Sequence, residues 1–163
     1  MGTAHALRRD LFLKLGGYRE ILTHQGEEED YCLRLLNAGY LTRAGASAPI
    51  HHFESPRRSF ARMDYFGARN KVLFAWHNVP IRHLPLHLAA TTVLTATLSL
   101  KPSRLWIRLR GVAAAYGAIL TGRAARKPVA GKIFKLSREI KKRGTLPFND
   151  IEGQLPDLPA STQ

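Results

Sequence analysis

Apolar and polar positions change rhythm several times along the chain. From Glu27 to Ala38 the apolar residues Tyr31, Leu33, Leu35 and Leu36, with Cys32, recur at helical spacing and stop at Asn37–Gly39, which predicts one amphipathic helix. Upstream, "RRDLFLKLGG" predicts a short helix ended by glycines, with Gly16 placed for a left-handed cap. "TAHAL", "YLTRAGA" and "PIHHF" predict short strands, the last two on either side of a turn near Ala46–Pro49. Ser55–Pro56 has the form of a helix start, Ser as N-cap and Pro in the first turn, and that helix can run on to Pro80.

The second half differs. Leu84 to Leu100 is apolar apart from His87 and hydroxyls. At about 17 residues it sits at the lower edge of what can span a bilayer. Lys101–Pro102 breaks it, Ser103 can cap a second helix ending at Leu120, and a third helix is expected from Pro128 to Gly144. The stretch 146–163 holds three prolines and no periodicity, so a disordered tail is expected. Three regions follow: residues 1–80, a basic helical region 81–145, and the tail 146–163.

Charge sharpens that division. Residues 1–100 carry twelve Lys/Arg against eight acids, residues 101–145 thirteen against one (Glu139), and residues 146–163 three acids and no base, giving +4, +12 and −3 of the total +13. So basic a segment calls for an anionic partner: phospholipid, nucleic acid or a phosphorylated ligand. Core helices, helices on a membrane surface and a spanning hairpin are all open for residues 84–120, with the arginine density of the second helix against spanning. A single cysteine, Cys32, excludes an intrachain disulfide framework and fits a reducing compartment.

The densest candidate chemistry is "GEEEDYCLRLLNAGY". Carboxylates in a first helical turn complement the helix dipole, and Asp30 with Arg34 at i, i+4 can pair. Four adjacent acids nevertheless repel one another, and one would cap as well. Such an excess suits a site that meets a cation or a sugar hydroxyl. Just upstream, "GGYRE" places Gly16 and Gly17, which let backbone approach a ligand, before Glu20, which can accept from hydroxyls. In "IHHFESPRRS", His51 and His52 would face opposite sides of a strand, so one of them can reach a metal; no second ligand stands at metal-site spacing.

Taken in order, "RRDLFLKLGGYRE", "GEEEDYCLRLLNAGY" and "IHHFESPRRS", followed by the later "RN" (Arg69–Asn70), resemble the second half of bacterial family 2 glycosyltransferases, inverting enzymes with the nucleotide-sugar-binding GT-A fold. The resemblance covers about residues 2–80. It implies an α/β fold in which this chain is the helix-dominated C-terminal part of a GT-A domain, on the acceptor side. It places the family's acidic pair on Glu27 and Glu28, with Glu28 as general base and Glu29 or Asp30 as substitutes. It puts Gly16, Gly17 and Glu20 at the acceptor, His51 near metal and diphosphate with His52 as second choice, and Arg57 and Arg58 within reach of phosphate.

The implied reaction is direct inversion. A carboxylate takes the proton of an acceptor hydroxyl as its oxygen attacks the anomeric carbon of a nucleotide sugar. A divalent metal, Mg or Mn, is expected to stabilise the leaving diphosphate in the complete enzyme. The family's Asp-x-Asp metal motif does not occur in this sequence. The chain therefore reads as a C-terminal fragment, inactive alone, whose expected place is cytoplasmic and peripheral at the inner face of the cell membrane, in cell-surface polysaccharide or glycolipid synthesis. Two other classes compete. A nucleic-acid-binding module would fit the net charge, but the basic segment lacks interleaved aromatics and any zinc, RNP or helix-turn-helix pattern. A non-catalytic membrane-surface protein would fit residues 84–143 but leaves the ordered motifs before them unexplained.

Overall fold

A computed structural model describes residues 5–43, 45, 46, 48, 51, 59–97, 102–144 and 146–158. They form six α-helices: α1 Arg9–Lys14, α2 Glu27–Asn37, α3 Phe60–Asn78, α4 Leu84–Thr97, α5 Pro102–Leu120 and α6 Gly131–Arg143. Two single 3-10 turns follow, Phe148–Asp150 and Glu152–Gln154. No strand occurs among the described residues.

That finding overturns the α/β, GT-A expectation. Residues 5–7 of "TAHAL" and residues 41–43, 45, 46 and 48 of "YLTRAGA" and its turn are irregular, as is His51. The remainder of "PIHHF" lies outside the described residues. The physical reason is a lack of partners: a lone two-stranded hairpin is marginal in water and needs more strands or a packed apolar face.

α3 is the central post. Asp64, Ala68, Val72 and Ala75 are buried at helical spacing on one side, and Asn70, Leu73, His77 and Asn78 are buried on others, so this helix is enclosed nearly all round. Ser59 caps it, its hydroxyl accepting from the Arg62 amide at 3.3 Å. Ser55 and Pro56 lie outside the described residues. α5 crosses α3 closely at Gly111, where an added Cβ would sit 2.3 Å from the Tyr65 carbonyl oxygen. Only glycine permits that approach. α4 and α5 run antiparallel beside each other, joined by the hydroxyls of Thr92 and Tyr116 at 2.8 Å.

Two cores result. In one, Leu22 from the loop before α2 joins Ala68, Val72 and Leu73 of α3 and Val112 and Ala115 of α5. In the other, Leu33 and Leu36 of α2, Ala75 and Val79, Leu84, Val129, and Ile133, Phe134 and Leu136 of α6 meet Ile151. Each core draws on both sides of residue 80, so the expected division there is not a boundary in packing. The tail expectation also changes: Ile151 is buried and Leu146 and Leu155 pack beside it, because three apolar residues spaced by single turns can cover the end of the second core. Residues 159–163 lie outside the described residues.

The third helix begins at Gly131, three residues later than expected. Lys127 to Val129 are used otherwise: the amides of Lys127 and Val129 donate to the carbonyls of His77 and Asn78 at 3.2 and 3.0 Å, closing the end of α3. Arg126 adds its guanidinium to the carbonyls of Trp76 and Val79. No helix of the described residues is long and apolar enough to cross a membrane.

Candidate functional site

The acidic run opens α2, and the loop 15–26 in front of it is stitched from both sides. On one side Arg34, in the last turn of α2, donates from its two terminal nitrogens to the carbonyls of Leu15 and Gly17 at 2.6 and 2.5 Å. On the other, Asn70 of α3 donates to the carbonyls of Thr23 and Gln25 at 3.0 and 2.7 Å, and Arg69 donates to Ile21 at 2.7 Å. Arg69 also donates to the Asn70 side-chain carbonyl at 2.9 Å, which orients the amide. The "RN" pair thus holds the backbone that delivers the acidic turn. Within the loop His24 and Gln25 adopt left-handed φ values of 61° and 94°, conformations that non-glycine residues sustain only where surroundings enforce them.

The four acids of that turn have four different fates. Asp30 is fully buried. Arg19 Nε donates to both its oxygens at 3.0 and 3.1 Å, Arg34 Nε to Oδ2 at 2.8 Å, and Asn78 Nδ2 to Oδ1 at 2.7 Å. A carboxylate so occupied has neither room for an acceptor hydroxyl nor a lone pair aimed at one, and it acts as a keystone between α2, α3 and the loop. Glu29 is exposed and paired with Lys141 of α6 at 2.7 Å. Glu27 Oε2 is enclosed with no donor among the described residues, so it retains acceptor capacity. Glu28 is partly open, its side chain 32% exposed.

Glu28 has company that the sequence motifs did not point to. His5 Nδ1 lies 3.9 Å from its carboxylate, and His5 Nε2 lies 2.8 Å from the Tyr18 hydroxyl. Burial pushes the Tyr18 phenol pKa up, and the negative charge of Glu28 adds to it. Tyr18 stacks edge-on against Phe12 and Tyr31, which fixes its ring. Proximity of His5 and Tyr18 is a consequence of the glycine turn. Gly16 and Gly17 take φ values of 78° and 59°, reversing the chain after α1, and the Gly17 carbonyl faces Arg34.

The other expected site residues are not gathered here. Glu20 is exposed and receives only the Thr23 hydroxyl, at its backbone carbonyl, 3.1 Å away. His51 is exposed, while His52, Arg57 and Arg58 lie outside the described residues. Among the described residues no group of three His, Cys, Asp or Glu side chains could hold a metal ion.

A second charged cluster lies on α3. Asp64, nearly buried, receives Arg104 Nε and Nη2 at 2.6 and 2.9 Å and Arg108 Nε and Nη2 at 3.1 and 2.8 Å. The Arg104 hydrogen bond, aided by Arg108 and opposed by burial, holds the Asp64 pKa below the ordinary carboxylate range. Two arginines that the sequence offered to an anionic partner are therefore spent on joining α5 to α3. Comparison with family models, curated proteins and solved structures gave no match.

Proposed function

We propose that the chain carries the base-bearing, acceptor-side element of a sugar-transferring enzyme that acts by inversion, with Glu28 as the general base. The carrying observation is the sorting of the acidic turn: Asp30 is saturated, Glu29 is paired and Glu27 has one oxygen enclosed, while Glu28 is partly open beside His5 and Tyr18. Its oxygen would take the proton of an acceptor hydroxyl. His5 and Tyr18 would position Glu28. The order of the acidic, glycine and "RN" motifs supports the same reading. Donor binding, with its metal, falls to residues outside this chain, and the site of action is the inner face of a membrane.

The test is nucleotide-sugar turnover by the 163-residue chain, alone and together with the polypeptide encoded next to it. Turnover is expected only in the joined form, and Glu28→Gln should lower it by about 10²–10⁴-fold, the usual contribution of a positioned base. Full turnover in Glu28→Gln would move the base elsewhere. Absence of turnover in both forms would remove the reading.

A further inference from the structure

α4 and α5 each present an apolar stripe to solvent. On α4 the exposed positions Leu86, Val93 and Leu94 fall on one face, and on α5 Trp106, Leu109 and Leu120 do the same. These stripes lie opposite the positions that pack on α3, which are Leu84 and Thr95 in α4 and Val112 and Ala115 in α5. Because the two helices lie side by side through Thr92 and Tyr116, the stripes open to one common side. Leu86 is 80% exposed, Leu120 85% and Trp106 65%. Contiguous exposure of this kind marks an interaction surface.

We propose that this face docks the protein on an anionic lipid bilayer, lying in the headgroup layer. Charge selects that occupant. Between residues 65 and 138 the chain has thirteen Lys/Arg and no acid. Four arginines are engaged within the fold, Arg104 and Arg108 by Asp64 and Arg69 and Arg126 by backbone carbonyls, but exposed Arg82 and Arg123 flank the Leu86–Leu120 end of the hairpin and exposed Arg110 borders the α5 stripe. Beside the start of α4 an open groove of about 460 Å³ adds Lys132 and Lys135 to Arg82. An apolar face ringed by cations is the form that interfacial helices take on acidic membranes, each cation near the surface adding to attraction. A second copy of this chain would bring +13 against +13, which opposes association. Trp106 suits a headgroup layer, where an amphipathic ring sits at the boundary.

The docking face gives a physical basis to the membrane location in the functional reading and is independent of sugar transfer. Its test is sedimentation of the full chain with vesicles of phosphatidylcholine alone and of phosphatidylcholine mixed with phosphatidylglycerol. Binding is expected to the mixed vesicles, weakened by salt, with a blue shift of tryptophan emission that Trp106→Phe removes. Trp106→Glu and Leu120→Glu should each weaken binding by about ten- to a hundredfold, the effect of losing one buried large apolar side chain. Both side chains are exposed, so unchanged circular dichroism checks the fold, and the emission shift of the unmodified chain tests the same face if a variant misfolds. Equal binding to both vesicle types, no binding, or glutamate variants that bind as the parent does would overturn the proposal. So would a lipid-free dimer that either glutamate variant splits. Failure of sugar transfer would leave this result untouched, and failure of vesicle binding would leave Glu28 untouched.

Discussion

Asp30 and Asp64 are built to the same recipe, one carboxylate between two arginines, yet they do different work. Asp30 has no exposure, takes a fourth bond from Asn78, and its partner Arg34 goes on to fasten two backbone carbonyls. Asp64 is nearly as buried, but Arg104 is 43% exposed and neither arginine reaches the loop before α2. The first is a keystone on which the acidic turn depends. The second is a tether between two helices that water and salt can reach. Burial of the cations, rather than the count of ion pairs, decides how much each is worth, since exposed pairs contribute little and a broken buried pair strands an uncompensated charge.

The difference can be broken in order of expected effect. Asp30→Asn should destabilise by about 3–5 kcal/mol, because two arginines lose their buried counter-charge together. Gly111→Ala tests the neighbouring helix contact without touching either aspartate. A methyl against the Tyr65 carbonyl should cost about 1–3 kcal/mol, and a normal urea midpoint would show that α5 can slide. Asp64→Asn should lower stability by about 1–2 kcal/mol, a loss that shrinks in high salt because Arg104 is already hydrated.

Acidity separates the regions further. Burial holds the His77 pKa below its ordinary value of 6.5, with Nδ1 donating to the Ala125 carbonyl. The unfolded chain then binds more protons than the native one as pH falls below 6.5, so stability from this group is full above that value and declines beneath it. His77→Gln should flatten that decline in a series of urea midpoints. The Asp64 contribution has the same sign but a lower window. It is present above the ordinary carboxylate value of 3.8 and is lost as pH falls below that toward the depressed native value.

Much of this arrangement could be read in the sequence where a pattern is local. The period of Tyr31, Leu33, Leu35 and Leu36 gave α2 its span, and the break at Lys101–Pro102 separated α4 from α5. The fate of the acids could not be read, because it is set at a distance. Asp30 differs from Glu28 by two positions; its pairing with Arg34 was legible from the i, i+4 spacing, but Arg19, 11 residues before, and Asn78, 48 residues on, were not. Likewise Arg104 and Arg108 look like a basic stripe until Asp64, 40 residues earlier, faces them. A signal was available there. Asp64 is the single acid between Glu54 and Glu139, and two arginines at i, i+4 suit one carboxylate. The strands failed for a related reason: alternation over a few residues says nothing about whether a partner strand exists.

The central claim is that adjacent acids divide into those spent on structure and those left free, with Asp30 in the first class and Glu28, the proposed base, in the second. The most direct measurement is the unfolding free energy, by urea, of Asp30→Asn beside Glu28→Gln in the intact chain. The account predicts a loss of about 3–5 kcal/mol for Asp30→Asn and a change within about 0.5 kcal/mol for Glu28→Gln. Equal losses, or a larger loss at Glu28, would contradict it.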